Sequence, residues 1–586
     1  MKIAKAFNPG VLKRPVAYFS MEFGLKNKLP IFSGGLGILA GDTLKSAADL
    51  GVKMVGVGLL WRNGYVKQKL TFDQGQVSET VQWDPENTKG LSPLGKSVKV
   101  QIEDKEVAFR LWRYDVVEGK STVPLILLDS ACPENEGLDG FKDITRRLYR
   151  NHDPWWRITQ EMALGIGGMR ALKLLYPNVE LKYHLNEGHA AMAPVEFMLQ
   201  GHSPEEAREH FTGTTHTPVP AGHDRFHIDK LSHAIRTPHL NVMREFGWEH
   251  NNPAMTNMTI LMMNLCRKIN AVAKKHLEVT RRMFPSFDSK MTSITNGIHP
   301  YTWASPEMAA VFDKFCRTWR DDPEQLRFLK YRLADPDFRK GVEDAHRQAR
   351  KRLIDEVNRR HPKLGMVEDT FTIGFARRAA GYKRADLIFA DMSRLFEVVE
   401  NVAQKHGNIQ IIFAGKAHFE DGRAADLIKK MLSTISNVNS EGAGKIKVIY
   451  LENHDMELGK LMVAGSDVWL NTPLPPFEAS GTSGMKAAVN GVPQISTFDG
   501  WWCEGYCQDN SVGWMFGSPP DLNQHPNDMR YGEDSEQLYK VLEKVAGIYY
   551  ANRPKWVDTM INAIALNGSY FNTHRMLKEY VTNLWF

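Results

Sequence analysis

Cysteine is scarce in this chain. Five cysteines are scattered over 586 residues, at Cys132, Cys266, Cys316, Cys503 and Cys507. Disulfide-stabilised proteins carry more cysteines in a much shorter chain. This composition therefore favours a protein of a reducing compartment. Cys503 and Cys507 lie close together, but no second Cys or His pair at zinc spacing accompanies them. We therefore expect ordinary thiols and no metal site.

Long hydrophobic runs and blocks of one charge are also absent. The most apolar stretch, 260–265 and its neighbours, falls far short of the roughly 20 residues of a membrane helix. The basic start, MKIAKAFNPGVLKRP, lacks the apolar core of a secretory signal, so we expect no cleaved leader. The net charge of +6 is spread along the chain and implies no nucleic-acid binding. We expect a cytoplasmic protein that binds neither membrane nor nucleic acid.

What remains is the composition of an ordinary globular protein. Hydrophobic residues make up 42% of the chain and charged residues 24%, so the chain can bury a large core. Its 586 residues far exceed the roughly 250–300 at which single cores stop growing. Two large domains or more are expected.

In the first half of the chain, β-rich runs alternate with helical patterns, which favours a largely parallel sheet. The predicted strands are Val16–Phe19, 53–60, 123–128, 181–185 and a strand and turn at 212–217, and the predicted helices are 155–175, a helix from about His189, and a long stretch at 259–282.

The second half shows a more regular alternation. Amphipathic helical segments separate apolar, β-branched runs at 371–375, Ile409–Ala414, Ile446–Leu451, 468–470 and Gln494–Thr497. This spacing predicts repeated βα winding. The charged stretch 322–360 predicts a solvated helical connector, and 535–586 predicts terminal helices.

Together these patterns predict an α/β protein with two doubly wound, Rossmann-like domains, residues 1–297 and 298–586, and helices at the end. Ligands of such domains bind outside the carboxyl ends of the strands. A central cleft between the domains would bring both sets of loops together.

A loop of small residues runs directly into a helix at 476–492. Its backbone N–H groups and the positive helix end can approach an anion, and Ser480, Thr482 and Ser483 add hydroxyl groups. It is not a Walker loop, because the Gly-Lys-Ser/Thr ending is missing before Lys486. The pattern fits a phosphate cradle, and it also fits an ordinary turn followed by an exposed lysine.

Four cations cluster after the first predicted strand of the second half, in Gly374-Phe-Ala-Arg-Arg-Ala-Ala-Gly-Tyr-Lys-Arg384. Arginine offers a bidentate fork and lysine a point charge, so a cluster at a strand end makes a good anion site. A solvated basic turn is the alternative.

The first half carries a glycine-rich turn and two smaller strand-end motifs. Ser33-Gly34-Gly35-Leu-Gly leads into a predicted helix and permits close approach of an anion, although the turn taken alone favours a structural tight turn or a dinucleotide loop. His216 and Asn296 each follow a strand-like segment. Alone, a histidine is usually structural and an Asn-Gly pair is usually a turn.

Taken in order, these segments resemble the α-glucan phosphorylases of glycogen, starch and maltodextrin, from about Tyr18 to Tyr506. The segment Glu478-Ala-Ser-Gly-Thr-Ser-Gly-Met-Lys486 is similar to the one whose lysine carries pyridoxal phosphate. Its Ser-Gly pair looks like the short bacterial and archaeal members. The resemblance implies a glycosyltransferase B-type architecture. No segment resembles the amino-terminal regulatory part of the mammalian enzymes, so phosphorylation control of that kind is not expected.

The resemblance implies roles for single residues. Pyridoxal 5'-phosphate would be bound as a Schiff base at Lys486. The other cofactor-binding residues would be Arg377, Tyr382, Thr482, Ser483, Gly484 and Trp303, the substrate-binding residues Gly34, Gly35, Asn296, Ser480 and Gly481, and the catalytic residues Arg378, Lys383, His216 and Glu478.

Some positions depart from the family pattern. Arg377 replaces a lysine that usually contacts the cofactor phosphate, and Gly381 replaces a glutamate of the larger members, which leaves the details of that loop open. His184-Leu-Asn-Glu-Gly-His189 is similar to the family's Asn-Asp-x-His segment, with Glu187 in place of aspartate.

The activity that the resemblance implies is phosphorolysis of terminal α-1,4-glucosidic bonds. Inorganic phosphate would protonate the glycosidic oxygen and then attack the anomeric carbon on the same face, which gives α-D-glucose 1-phosphate with retention. The cofactor's phosphate, rather than its ring, would take part in proton transfer. The implied partners are an α-glucan such as maltodextrin and inorganic phosphate, without a metal, and homodimers are common in the family.

Three alternatives stay open at this stage. A nucleotide-sugar-dependent glucan synthase shares the two-domain form and the cationic phosphate site but needs no Schiff-base lysine. A non-catalytic glucan-binding relative would retain the fold without turnover. A glycoside hydrolase needs two carboxylates at a defined separation, which the sequence alone does not exclude.

Overall fold

A computed structural model describes residues 10, 12–119, 121–150, 153–508, 511–525 and 528–585, with backbone alone at 507 and 508. The first nine residues, on which the expectation about a leader largely rests, and the side chain of Cys507 lie outside the described residues. No helix in these ranges combines the length and apolar character that are needed to cross a membrane.

The strands within these ranges are β1 (Val16–Phe19), β2 (Met54–Leu59), β3 (Asn63–Thr71), β4 (Gly75–Gln82), β5 (Leu91–Ile102), β6 (Lys105–Glu118), β7 (Ser121–Asp129), β8 (Lys182–Asn186), β9 (Phe211–Thr215), β10 (Arg225–His227), β11 (Trp248–Glu249), β12 (Asn252–Asn257), β13 (Ile269–Ala271), β14 (Met291–Ser293), β15 (Phe371–Ala376), β16 (Ile409–Ala414), β17 (Ile446–Leu451), β18 (Val468–Asn471), β19 (Gln494–Thr497) and β20 (Gly513–Phe516).

The α-helices are α1 (Gly35–Leu50), α2 (Pro154–Met162), α3 (Gly168–Leu175), α4 (Met192–Leu199), α5 (Pro204–His210), α6 (Ile228–Ala234), α7 (Thr237–Phe246), α8 (Met258–Leu265), α9 (Lys274–Met283), α10 (Pro300–Trp303), α11 (Pro306–Phe315), α12 (Pro336–Arg360), α13 (Met392–Lys405), α14 (Gly422–Glu441), α15 (Met456–Gly465), α16 (Ser483–Ala488), α17 (Trp502–Gln508), α18 (Tyr531–Ala551), α19 (Arg553–Asn562) and α20 (Thr573–Glu579). Turns of π-helix lie at Ala163–Gly167, Ala563–Gly568 and Tyr580–Leu584, and the 3₁₀ segments include Gly188–Ala190, Pro323–Arg332 and Gly381–Lys383.

The first sheet has the strand order β14-β13-β9-β8-β1-β2-β7-β6-β5 in the described part of the chain. Its strands pair in parallel from β14 to β7, as predicted, and β6 pairs antiparallel with both β7 and β5 at one edge. Strands β1 and β2 are buried along their whole length. Such continuous apolar runs are typical of a parallel sheet that is covered on both faces.

The second sheet has the order β17-β16-β15-β18-β19-β20, and all its strands are parallel. Counted from its first strand, this is the 3-2-1-4-5-6 order of dinucleotide-binding folds, in which ligands lie where the strand order reverses. That point falls between β15 and β18, so the residues directly after these strands face the expected site. The predicted fold class, two doubly wound units with terminal helices, is confirmed.

The helix predicted across 259–282 is wrong. α8 ends at Leu265 and α9 begins at Lys274, and β13 lies between them, paired with β9 and β14. Strand pairing holds this segment, and the Asn270 Oδ1 accepts a hydrogen bond from the backbone N–H of Ile294 at 2.5 Å. A strand of three residues is too short to show a period between two amphipathic helices.

The predicted solvated connector at 322–360 is helical, but it is not solvated throughout. One face of α12 is buried and includes Phe338, Val342 and Leu353. The Arg350 Nη1 on this face donates to the Asp467 Oδ1 at 2.9 Å. The high charge of the segment concealed this buried face, because a buried arginine with an anionic partner looks like a solvated one in sequence.

The end of the chain returns to the first sheet. α20 and the Tyr580–Leu584 turn contribute Met576, Leu577 and Trp585 and their neighbours to the core around β1 and β8. The Asp49 Oδ2 of α1 accepts hydrogen bonds from the Nε2 atoms of His299 at 2.7 Å and His574 at 2.9 Å. These contacts tie the terminal helix to α1, and the division at 297/298 stays a prediction.

Candidate active site

The carboxyl ends of both sheets open onto one cleft with a cavity volume of about 610 Å³. Residues from the two halves of the chain line it together. Nearly all the predicted site residues are on its walls, namely Gly34, Gly35, His216, Asn296, Trp303, Arg377, Arg378, Tyr382, Lys383, Glu478, Ser480, Gly481, Thr482, Ser483 and Lys486.

Gly484 is the predicted site residue that the cleft does not include. A Cβ built on it would lie 1.7 Å from the Gln494 Oε1 and 2.9 Å from the Trp501 Cζ2. The glycine therefore lets α16 pack closely on β19 and the following loop. A glycine is needed at this position for steric reasons, and the sequence motif alone could not distinguish this reason from anion binding.

The glycine turn of the first wall ends at the start of α1. Gly34 is the N-cap of this helix and has no side-chain cap. The Glu22 carboxylate accepts hydrogen bonds from the backbone N–H groups of Ser33 at 2.6 Å and Gly34 at 3.2 Å. A Cβ on Gly34 or Gly35 would meet no atom within 4 Å. The Glu22 carboxylate thus occupies part of the positive end of α1, and the space in front of Gly34 and Gly35 is open to the cleft.

On the second wall, one carboxylate holds two cations. The Glu478 Oε2 accepts hydrogen bonds from the Arg377 Nη2 and the Lys383 Nζ, both at 2.5 Å. Burial alone would raise the pKa of Glu478, but the Arg377 and Lys383 charges outweigh it and lower this pKa to about 2. Arg377 also donates to the Asn471 Oδ1, so it bridges the ends of β15 and β18 where the strand order reverses.

Arg378 differs from its two cationic neighbours. Its side chain is exposed to the cleft, and no hydrogen bond or ion pair engages it among the described residues. Tyr65, Tyr149, Tyr382 and Glu22 surround it, and the negative charge of Glu22 stabilises its positive charge. A guanidinium that is placed but unpaired can accept an anionic ligand without first breaking an internal ion pair.

Lys486 lies deep in the same wall, in α16. Its side chain is buried, and its Nζ lies 3.7 Å from the centre of the Trp303 ring. Burial lowers the pKa of this amine to about 8, partly opposed by the nearby Asp42. A lysine with a lowered pKa has a larger uncharged, nucleophilic fraction near neutral pH than an exposed lysine has.

Two hydroxyl groups of the loop before α16 differ in whether they have a hydrogen-bond partner. The Ser483 Oγ accepts a hydrogen bond from the Trp469 Nε1 at 3.1 Å, so it also holds the loop onto β18. The Ser480 Oγ is buried and has no hydrogen-bond partner among the described residues. A buried hydroxyl without a partner at a cleft wall is available to a ligand.

The first wall presents histidine and asparagine around a strained turn. The His216 Nε2 donates to the Asn186 Oδ1 at 2.7 Å, and burial lowers the pKa of His216. The Glu187 backbone has φ 81° and ψ 166°, a region that strongly favours glycine. Its carboxylate accepts hydrogen bonds from the backbone N–H of His216 at 2.7 Å and from the Thr217 Oγ1 at 3.1 Å. These bonds offset the strain and fix the turn that carries His216.

Asn296 completes this wall. Its backbone N–H donates to the Val272 carbonyl at 3.0 Å, so the main chain is anchored. Its Oδ1 is buried without a hydrogen-bond partner in the described part of the chain. Like Ser480, this side chain offers an unused acceptor to a polar ligand.

The polar residues of the cleft that sequence reasoning missed include Tyr65, Tyr149, Arg157, Lys416 and His454. Lys416 and His454 follow β16 and β17, two strands that were predicted, so the strand-end rule could have found them. Burial lowers the pKa of Lys416 to about 8 and of His454 to about 4. The other three residues come from a hairpin, a loop and a helix that carry no local signal.

Comparison with known proteins identifies the family of this chain. The family model for carbohydrate phosphorylases matches residues 223–517. A maltodextrin phosphorylase of Thermococcus litoralis is 38% identical over 618 aligned residues, which cover 98% of this chain and 70% of that protein. A glycogen phosphorylase of Aquifex aeolicus is 33% identical, with 98% and 86% covered. One of Mycobacterium tuberculosis is 34% identical, with 97% and 70% covered. With half of the chain matched by the family model and nearly all of it aligned to such relatives, this chain belongs to the carbohydrate phosphorylase family.

Proposed function

We propose that this protein is an α-glucan phosphorylase that releases α-D-glucose 1-phosphate from the ends of α-1,4-glucans with inorganic phosphate and retention of configuration. The observation that carries the proposal is the pairing of a buried lysine of lowered pKa, Lys486, with an unpaired arginine, Arg378, in one cleft. The relatives named maltodextrin and glycogen phosphorylase support the choice of glucan.

The residues around Lys486 fit pyridoxal phosphate. The Lys486 amine is buried and makes no hydrogen bond among the described residues, and Trp303, Thr482 and the backbone of Gly481 stand beside it on the wall of the cleft. Lys486 would hold the cofactor covalently, and Arg377 would lie on the side of its phosphate. Bound there, the cofactor supplies a phosphate group that takes part in proton transfer.

Inorganic phosphate would bind between the walls. Arg378 offers a bidentate fork and Lys383 a point charge. The Gly34-Gly35 turn leaves open space at a positive helix end, where Glu22 already accepts a hydrogen bond from the Gly34 N–H. Glu478 already neutralises part of the charge of Arg377 and Lys383. The second anion would therefore enter a cluster with an excess of positive charge, which favours its binding over that of a neutral water.

The glucan end would lie against the first wall, with Ser480 and Glu478 of the second wall beside it. His216 has its Nε2 engaged by Asn186, and it is uncharged at neutral pH because burial lowers its pKa. Asn296 and Ser480 offer polar atoms without internal partners. Uncharged hydrogen-bonding groups suit sugar hydroxyls, and Glu478 would add a negative charge near the developing oxocarbenium-like centre.

We also propose that the enzyme works in the cytoplasm, because its cysteines are few and scattered. The described free thiols at Cys132, Cys266 and Cys316 are consistent with this location. The homodimer stays a prediction, and so does the absence of a metal.

The direct test is a comparison of donors. We expect the purified protein to form glucose 1-phosphate from maltodextrin only when phosphate is present. With maltodextrin as acceptor, we expect no transfer from a nucleoside-diphosphate glucose. Transfer from the nucleotide sugar without phosphorolysis would instead establish the glucan synthase, and binding of maltodextrin without either reaction would establish the non-catalytic relative.

A further inference from the structure

Asp42 lies in α1 beneath the proposed cofactor wall, and the phosphorolysis scheme gives it no role. Its side chain is completely buried. The Oδ2 accepts hydrogen bonds from the Trp303 Nε1 at 2.8 Å and from the backbone N–H of His299 at 3.1 Å. A buried carboxylate is costly to desolvate and is retained only where its charge is compensated.

The contact with Trp303 connects Asp42 to Lys486. The Trp303 ring lies under the Lys486 Nζ, 3.7 Å from it. Since the indole N–H is held by the carboxylate, the plane of the ring is fixed with respect to α1. Asp42 thereby determines the surface on which the amine rests, and a cation over an indole face is stabilised by the charge distribution of that ring.

The second oxygen of Asp42 is unused. Its Oδ1 is buried and has no hydrogen-bond partner among the described residues. A carboxylate oxygen can accept two hydrogen bonds, so an unpartnered one in the interior marks a place for a missing donor or a facing positive charge.

The charged groups around Lys486 come from several elements. Asp42 and Lys45 lie on α1 and act on the Lys486 amine with opposite sign, and His454, after β17, is in turn affected by the Lys486 charge. The Lys45 Nζ donates to the Thr302 Oγ1 at 3.0 Å, which keeps it on the same side as Trp303. Within the described residues, Asp42 is the negative group that acts on this amine.

We infer that Asp42 is a positioning residue for Lys486, because its carboxylate holds Trp303 under the amine and supplies the facing negative charge. It thereby sets the fraction of the amine that is uncharged at neutral pH. That this fraction governs the uptake of pyridoxal phosphate rests on the function proposed above. The coupling of Asp42 to Lys486 does not rest on it.

The test is acylation of the lysines in cofactor-free protein with acetic anhydride at a series of pH values, quantified by mass spectrometry. The uncharged amine attacks the anhydride carbonyl, acetate leaves and the amine loses a proton, so the labelling rate reports the uncharged fraction. An exposed lysine such as Lys363 serves as internal reference. Asp42→Asn keeps an oxygen for the indole N–H and removes the charge.

We expect Asp42→Asn to shift the labelling midpoint of Lys486 downward by about one pH unit, from about 8, so that labelling at pH 7 becomes about fivefold faster. Lys45→Met removes a like charge and is expected to shift the midpoint upward. Structural damage that exposed the amine would raise its lowered pKa, so the downward shift in Asp42→Asn is the diagnostic one. Asp391→Asn, which keeps a helix N-cap, is the matched control and leaves the midpoint unchanged.

A Lys486 midpoint in Asp42→Asn that equals or exceeds the wild-type value overturns the inference. Uptake of pyridoxal phosphate, followed by absorbance, is measured on the same proteins. If the wild type takes up no cofactor, the proposed function fails, whereas the labelling still decides the role of Asp42. If uptake occurs, we expect it to be faster at pH 7 in Asp42→Asn than in the wild type, by the same factor as labelling.

Discussion

The two walls of the cleft differ in charge, although both are built from the carboxyl ends of parallel strands. The second wall carries Arg377, Arg378 and Lys383 after β15, with Glu478 holding two of them. The first wall carries His216 and the glycine turn of α1. The cations of the second wall are therefore suited to phosphate, with the glycine turn of the first wall opposite them, whereas His216 and its neighbours on the first wall are suited to the hydroxyl groups of an uncharged sugar.

The walls also differ in how the charge states of their side chains are maintained. On the second wall, ion pairs lower the pKa of Glu478 to about 2 and keep it charged. Behind the first wall, burial keeps histidines uncharged, since the pKa of His184 is lowered to about 3 and that of His189 to about 4. The carboxylate thus stays charged because cationic partners compensate its burial, and the histidines stay neutral because burial excludes water from them.

The largest expected effect is a loss of stability at acid pH, caused by buried histidines in the first half of the chain. His184, His189 and His276 have folded pKa values of about 3, 4 and 4, below the unfolded value of about 6.5. Below pH 6.5 the unfolded chain binds protons that the folded chain does not, so stability falls as pH falls. Each histidine should lower the free energy of unfolding by about 1.4 kcal/mol per pH unit. Urea unfolding between pH 7.5 and 4.5 measures this slope.

If this slope is smaller in His189→Gln than in the wild type, the difference is the part of the pH dependence that His189 contributes. A free energy of unfolding that is flat across this window would contradict the claim that burial keeps these histidines uncharged.

Removal of the unpaired arginine should weaken phosphate binding at the second wall selectively. For Arg378→Ala we expect the KM for phosphate to rise roughly 10- to 150-fold, because one charge-assisted hydrogen-bonding group is lost. The KM for maltodextrin should change little. Initial rates at varied phosphate measure the effect, with the exposed Arg423→Ala as control. A rise confined to the KM for maltodextrin would show that Arg378 belongs to the sugar side.

The converse substitution tests the first wall. His216→Ala removes an uncharged hydrogen-bonding group, so we expect kcat/KM for maltodextrin to fall roughly tenfold. The KM for phosphate should stay near the wild-type value. Initial rates at varied maltodextrin and saturating phosphate check this. If phosphate binding weakens as much as in Arg378→Ala, the separation of the two walls is wrong.

The smallest expected effect concerns the glycine turn. In Gly35→Ala the new methyl group meets no protein atom within 4 Å, so stability should be unchanged or raised by up to about 1 kcal/mol. The same methyl enters the proposed phosphate space, and we expect the KM for phosphate to rise by less than about tenfold. Gly41→Ala is the contrast, because its Cβ would lie 2.2 Å from the Gly24 carbonyl oxygen. It should destabilise the fold by roughly 1–3 kcal/mol, and thermal unfolding separates the two.

Much of the second half was predictable because its signals are local. The strands of β15 to β19 are continuous apolar runs, and Arg378 and Lys486 stand in motifs a few residues long. β13 was missed because three residues cannot show a period and their pairing with β9 and β14 is a tertiary property.

The missed cleft residues have the same physical explanation. Tyr149 and Arg157 reach the cleft only through the packing of the first half, and no short sequence pattern marks them. Lys416 and His454 follow predicted strands but stand alone, so no cluster drew attention to them. The role of Gly484 depends on its contact with Gln494, a neighbour in space ten residues away.

The central claim, that Lys486 carries the cofactor of a phosphorolytic site, is tested most directly by borohydride reduction of the purified protein followed by peptide mass spectrometry. Reduction should fix a pyridoxal phosphate adduct on the peptide that contains Lys486. Lys486→Ala should lack both the adduct and phosphate-dependent release of glucose 1-phosphate. Phosphorolysis that persists in Lys486→Ala, or an adduct found on a different lysine, would contradict the account.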